Sequence, residues 1–383
     1  MSLLVAFASL LVCSVLVSER LHRSVLSTAL VFLVGGFCLG PGVLGAFSLP
    51  SGIVLPIAEV ALYTSLFTDG MHAPAPLLRS AWRLPGRALL IGMPITFVGG
   101  SVLAYMLLGL SWTESFLVGA VLTPTDPVFA QAIVGRANVP ERLSHLLNVE
   151  SGLNDGLALP VVLILLSTVS TSHSSIGHVV FELALGAALG VAVPYVIARL
   201  ERLTALGAGG HYKQLYGFAI GLLLFGLCKV TGANVFIAAF VGGSALATAS
   251  QHTTEAFSRL GDALSEVSKL AAIFVFSALI TPQLLGRISI GAWVWAVLLL
   301  VLVRPVSLAV ALLGERLDRK EWLSAAWFGP KGFASVTYGL LVLRSSAVHA
   351  SRMFDLIAVV VAISIVAHST TDTVVARAFE ADA

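Results

Sequence analysis

Val121-Leu122-Thr123-Pro124-Thr125-Asp126-Pro127 sits inside an apolar run from about 113 to 135, and its two prolines are incompatible with one unbroken helix. Each proline removes a backbone donor and presses its ring into the preceding turn, so two half-helices joined by an unwound stretch are expected. A second run, 322–344, carries Trp327-Phe328-Gly329-Pro330-Lys331-Gly332 near its middle and invites the same reading. Within a bilayer, non-helical backbone is tolerated only where it lines a cavity or is buried in protein. The two breaks therefore mark a site.

The bilayer follows from composition. Of 383 residues 57% are hydrophobic and only 11% charged, where a soluble protein carries roughly 25% charged residues. Windows able to cross about 30 Å of hydrocarbon fall near 2–18, 24–41, 52–68, 85–108, 113–135, 141–169, 176–198, 212–228, 232–249, 264–282, 288–313, 322–344 and 352–378. The expected fold class is thus an all-α polytopic membrane protein of about thirteen transmembrane helices, one membrane unit over 1–383 with no soluble regulatory domain. Ser2–Val17 lacks a basic leading region and runs straight into further spans, which favours a first transmembrane helix over a signal peptide. Connections after odd-numbered spans hold sixteen basic residues, Lys269 counted among them, and those after even-numbered spans hold four. That asymmetry puts the N-terminus outside and the C-terminus in the cytoplasm. Net charge +2, with no basic run interleaved with aromatics, gives no sign of nucleic acid. Cys13, Cys38 and Cys228 lie singly without metal or redox spacing, and no cofactor is expected.

The two breaks are the middle members of three-span units, 4-5-6 and 11-12-13, that run in opposite directions through the membrane. Interrupted helices at corresponding places of inverted repeats point to the binding site of a secondary transporter. Where such helices cross, their exposed ends carry partial charges. Asp126 is placed to balance positive ends and Lys331 negative ones; the plainer alternative is that both only stabilise the crossing.

Asn148-Val149-Glu150-Ser151-Gly152-Leu153-Asn154-Asp155-Gly156 opens an otherwise oily stretch. On a helix Glu150 stacks with Asn154, and Ser151 with Asp155, on neighbouring stripes. Intramembrane charges cost about 2.5–3.5 kcal/mol each on insertion scales and normally face a cavity, a partner or a transported ion. A carboxylate, a hydroxyl and unwound carbonyls such as that of Thr125 are hard oxygen ligands, suited to an alkali cation. Asp155 is the leading candidate to hold either a proton or a cation, since burial favours the protonated acid and a bound cation the ionised one. The competing reading is that Asp155 merely pairs with a buried base. Two bases lie within spans, Arg304 and Lys331. The expected arrangement is Glu150 with Lys331, and Arg304 hydrogen-bonded to Asn154 or closing near Asp155. In span three, Asp69 reads as a helix-end charge or part of the ion path, and Glu59, set deeper, is a further candidate for the path. His368 and Asp372, four apart, read as a local hydrogen bond rather than a proton relay.

Thr125-Asp126-Pro127 in a broken span, followed by Glu150-Ser151-Gly152-Leu153-Asn154-Asp155-Gly156, resembles the monovalent cation/proton antiporter superfamily. The Asn154-Asp155 pair is similar to its electroneutral branch, the NhaP-type and animal sodium/proton exchangers. Leu66-Phe67-Thr68-Asp69-Gly70, Arg304-Pro305, Gly329-Pro330-Lys331-Gly332 and Ala367-His368-Ser369 extend the likeness over about 55–375. The resemblance implies a mobile ion-binding core, about 85–170 and 288–379, moving like an elevator against a scaffold and dimerisation bundle, about 1–80 and 176–282, in a homodimer. It implies cation ligands at Asp155, Ser151, Asp126 and Thr125, and a Glu150 paired with a base in the broken helix. Relatives usually carry arginine where Lys331 stands, and electrogenic relatives carry Asp-Asp where Asn154-Asp155 stands.

The expected function is exchange of Na⁺, or of K⁺ or Li⁺, for H⁺ across the cell membrane, one for one, and not an enzymatic reaction. A sodium-coupled symporter of organic anions would share the architecture but needs a roomier polar cavity that no residue cluster announces. An intramembrane hydrolase finds no zinc or protease pattern, and a channel would not need a deep titratable acid.

Overall fold

The computed structural model describes residues 2–22, 27–76, 84–126, 139–171, 175–201, 212–315 and 317–380. Their regular structure is helical, apart from one isolated bridge between Ser170 and Ala347. The main helices are α1 (Leu3–His22), α2 (Thr28–Leu39), α3 (Ser51–His72), α4 (Leu84–Leu108), α5 (Trp112–Val121), α6 (Glu141–Val169) and α7 (Ile176–Glu201). They continue as α8 (Tyr212–Thr231), α9 (Val235–Ala249), α10 (Gln251–Leu279), α11 (Ile290–Ala311), α12 (Arg319–Trp327), α13 (Phe333–Arg344) and α14 (Ala350–Glu380).

Six helices among the described residues are long and apolar enough to cross a membrane: α3, α4, α6, α7, α11 and most of α14. Shorter apolar stretches, at 3–17, 28–39, 215–231, 235–249 and 333–344, accompany them. Large apolar side chains stay exposed on the outer helices, among them Leu16, Phe181, Val196, Leu222 and Val301. Water would disfavour such a surface and lipid would not. The chain is an integral, multi-pass membrane protein.

Two sets of helix contacts stand out. In one, α9 lies against α3 and α7, and α10 against α2 and α3. Glycine makes the first contact close: a Cβ at Gly70 would strike the Phe240 carbonyl, and one at Gly243 the Phe67 carbonyl. In the other group, α4 packs on α5, α5 on α6, and α13 on α14. Both α4 and α11 widen into a π-helical turn, at Ala88–Gly92 and Leu299–Val303, and Pro94 and Pro305 follow two residues later. A proline that cannot bond back to the fourth preceding carbonyl accounts for each disturbance. α4 and α11 thus bear the same irregularity, each just ahead of a proline.

The break in span twelve falls at residues 328–332, between α12 and α13, where the prolines and glycines put it. In span five the backbone leaves the helix after Val121, and 122–126 run unwound. The second half of that span, 127–138, lies outside the described residues, as do several of the connecting arginines in the charge count, Arg23, Arg79, Arg83, Arg136, Arg202 and Arg316. Span ten departs from expectation. Instead of 264–282, α10 covers Gln251–Leu279; Lys269 falls inside the span by either bounds and does not belong among the loop charges.

Candidate functional site

The two unwound stretches bond to each other. Asp126 N donates to Pro330 O at 2.9 Å, and the Phe333 amide donates to Asp126 Oδ2 at 2.7 Å. Phe333 opens α13, so a carboxylate from another segment caps a helix whose own N-cap, Gly332, has no side chain to do it. Gly332 leaves the space for that approach, since a Cβ there would run into the Asp126 carboxyl. At the opposite pole, Lys331 Nζ donates to Thr123 O at 3.1 Å and Pro124 O at 3.4 Å, and Ser335 Oγ to Val121 O at 2.8 Å. Those carbonyls belong to the end of α5 and the turn after it, the negative end of a helix dipole. An acid faces a positive end and a base a negative end, as the sequence leads one to expect, with Asp126 serving α13.

The expected pairing of Glu150 with Lys331 is corrected. Glu150 pairs with Arg304, whose Nη1 and Nη2 lie 2.7 and 3.2 Å from its two carboxylate oxygens, with both residues buried. Arg304 donates further to Ala325 O at 3.2 Å and Phe328 O at 3.0 Å, and makes no hydrogen bond to Asn154. A planar guanidinium satisfies both carboxylate oxygens at once, whereas a lysine is a point donor better spent on scattered carbonyls. The base therefore comes from α11 and not from the interrupted helix. Gly329 makes room for it, because a Cβ there would collide with the guanidinium.

Asn154 and Ser151 meet at Thr125, and Asp155 follows on the same helix. Asn154 Nδ2 donates to Thr125 O at 3.0 Å and Thr125 Oγ1 at 2.7 Å, and Ser151 Oγ lies 3.5 Å from Thr125 Oγ1. All four are buried. The Asp155 carbonyl accepts from Tyr338 Oη at 2.8 Å, while among the described residues its carboxyl Oδ1, like Asn154 Oδ1 and Arg304 Nε, has no hydrogen-bond partner, and no base forms an ion pair with it. Among the described residues, no three acidic, histidine or cysteine side chains converge as ligands of a resident metal do. What the site offers is carboxylate, hydroxyl and carbonyl oxygen around one acid.

Of the other candidates, Asp69 joins this neighbourhood and Glu59 does not. Asp69 accepts from Ser65 Oγ at 3.0 Å, and its charge acts on Asp155 and is acted on by Asp126 and Lys269. Glu59 lies ten residues away on α3, about 15 Å, and pairs with the half-exposed Lys229. His368 is turned between Ser364 O, 2.7 Å from Nδ1, and Trp327 O, 2.9 Å from Nε2, and stacks on the Trp327 ring. The Asp372 side chain lies outside the described residues. Two further charged residues were not singled out as site candidates from sequence. Glu321, almost fully buried, pairs with Arg142 of α6, with Nε 2.6 Å from Oε1. Lys269, from α10, stands over the Phe333 ring at 5.6 Å. The available signal for Lys269 was Glu266 three residues before it, a spacing that puts both on one helix face.

The sequence pattern of the family described as "Sodium/hydrogen exchanger, transmembrane" matches residues 7–377. A K⁺/H⁺ antiporter NhaP2 of Shewanella baltica is 27% identical over 97% of this chain and 65% of its own length. A K⁺/H⁺ antiporter NhaP of Alkalimonas amylolytica is 24% identical over 96% of this chain and 64% of its own. A probable Na⁺/H⁺ antiporter of Schizosaccharomyces pombe is 28% identical over 88% and 48%. The chain thus spans less than two thirds of the length of these curated relatives. Among solved structures, the sodium proton antiporter MjNhaP1 of Methanocaldococcus jannaschii at pH 8 superposes with a TM-score of 0.78 at 19% identity, covering 98% of this chain and 99% of that one.

Proposed function

The chain belongs to the sodium/hydrogen exchanger family, and we propose that it exchanges a monovalent cation for H⁺ by alternating access, one for one, with both ions competing for Asp155. The observation that carries this reading is the buried Asp155 carboxyl oxygen without a hydrogen-bond partner among the described residues, one residue after the Asn154 that bonds the unwound stretch at Thr125. Ser151, Thr125 and Asp126 complete the ligand set, and Na⁺ is the first substrate to test. K⁺ is the second reading, favoured by the K⁺/H⁺ antiporters among the relatives.

An electroneutral cycle is supported by Asn154. Its amide donates twice to Thr125, which a carboxylate could not do, so this position braces the site without adding a second titrating acid. Around it we place thirteen helices with the two interrupted ones crossed. The core is 85–170 and 288–379, moving against a scaffold of 1–80 and 176–282. The protein works as a homodimer in the cell membrane, N-terminus outside and C-terminus inside. The activity is transport, with no cofactor and no catalysed covalent step.

Purified protein in proteoliposomes tests this. Asp155→Asn should abolish cation-dependent proton movement while the protein remains folded, and retained exchange would remove the assignment. In the same vesicles the wild-type apparent KM for the cation should rise as pH falls. A KM indifferent to pH argues for separate sites, and a current that reverses with voltage argues against one-for-one exchange.

A further inference from the structure

Lys269 is the base that the site as described leaves unused. It is partly buried on α10, a helix of the group that contains α2 and α3, yet it stands over the ring of Phe333, whose amide Asp126 caps. Among the described residues it forms no ion pair within 4 Å. Four carboxylates act on its charge: Asp69 on α3 most strongly, then Asp126, Glu266 on its own helix, and Asp155. Arg304 is consumed by Glu150, and Lys331 by the carbonyls at the end of α5. Lys269 thus stands over the Phe333 ring, beside the helix end that Asp126 caps and within electrostatic reach of the unpartnered acid, without an ion pair to any of these carboxylates.

An ammonium and an alkali ion are both monovalent cations, and each raises the free energy of the other when they share a set of acids. We propose that Lys269 is a tethered competitor of the transported cation, an affinity-determining residue whose ammonium shares Asp69, Asp126 and Asp155 with the ion. Glu266, on the same face of α10, is the carboxylate that draws the ammonium aside when the ion arrives. This rests on the exchange reading above. The four-carbon stem allows the movement, because a lysine head is a compact charge on a flexible chain.

If Lys269 only packs on Phe333, neutralising it should leave cation affinity unchanged or weaker. If it competes, affinity should improve, a direction that lost packing does not produce. The experiment measures the apparent KM for Na⁺ and K⁺ at one fixed alkaline pH. Alongside it, binding is followed as the cation concentration at half-maximal thermal stabilisation of the purified protein. Lys269→Gln should lower both by about tenfold, Lys269→Arg should stay within about twofold of wild type, and Glu266→Gln should raise both. An unchanged or raised value in Lys269→Gln overturns the proposal. Should that variant fail to fold, Glu266→Gln decides alone, and an unchanged or lowered value overturns it. The thermal titration reads binding without transport, so a wild-type protein that moves no protons would refute the exchange reading while the competition is still judged by the order of the half-points.

Discussion

Two acids one and a half turns apart on α6 have opposite fates. Glu150 is locked bidentately by Arg304, which two carbonyls also hold; Asp155 has a buried oxygen that nothing among the described residues bonds. Both are equally buried, so burial does not distinguish a structural charge from an exchangeable one. The difference lies in the partner. A permanent counter-ion makes a strut, and an acid left without one is available to an ion from outside.

The sharpest test of that contrast is stability. Arg304→Ala strands a buried carboxylate, which costs about 3–5 kcal/mol, so folded yield or melting temperature should fall steeply. Asp155→Asn removes a charge that had no partner to lose and should melt at or above the wild-type temperature. Equal destabilisation of the two variants would make Asp155 a second strut. A smaller effect is expected at the meeting of the breaks. Gly332→Ala forces the Asp126 carboxyl away from the Phe333 amide, a cap worth about 0.5–2 kcal/mol, and should impair exchange through the displaced Asp126. A variant that melts and transports like wild type would show the cap to be dispensable. The smallest effect belongs to Glu59→Gln. Its partner Lys229 is half exposed, and such pairs contribute about 0–1 kcal/mol, so melting and exchange should match wild type; a loss of exchange would return Glu59 to the ion path.

What the sequence makes legible here is whatever depends on a residue's own backbone chemistry. Pro124 and Pro330 announce the unwound stretches because a missing amide has the same consequence in any surroundings. The stripes of α6 follow from helix periodicity alone, which is why Asn154 and Ser151 both reach Thr125. Partner choice was not legible. Whether Glu150 meets Arg304 or Lys331 depends on how α6, α11 and the break in span twelve are rotated against one another, and that is set by packing. Lys269 was hidden for another reason. The first half of α10 is polar on one face, so a hydropathy window starts the span thirteen residues late, and Lys269, five residues inside that window, reads with the loop charges. Glu321 was overlooked in the same way, as an acid near a helix start whose burial only its neighbours reveal.

The reciprocal bonding of the breaks, Asp126 N to Pro330 O and Phe333 N to Asp126 Oδ2, constrains any gate. Prising the interrupted segments apart would strip an amide, a carbonyl and a carboxylate of their partners in a place where water is scarce, and each orphan would resist. Opening by separation is thereby penalised, while displacement of both segments together leaves those bonds untouched.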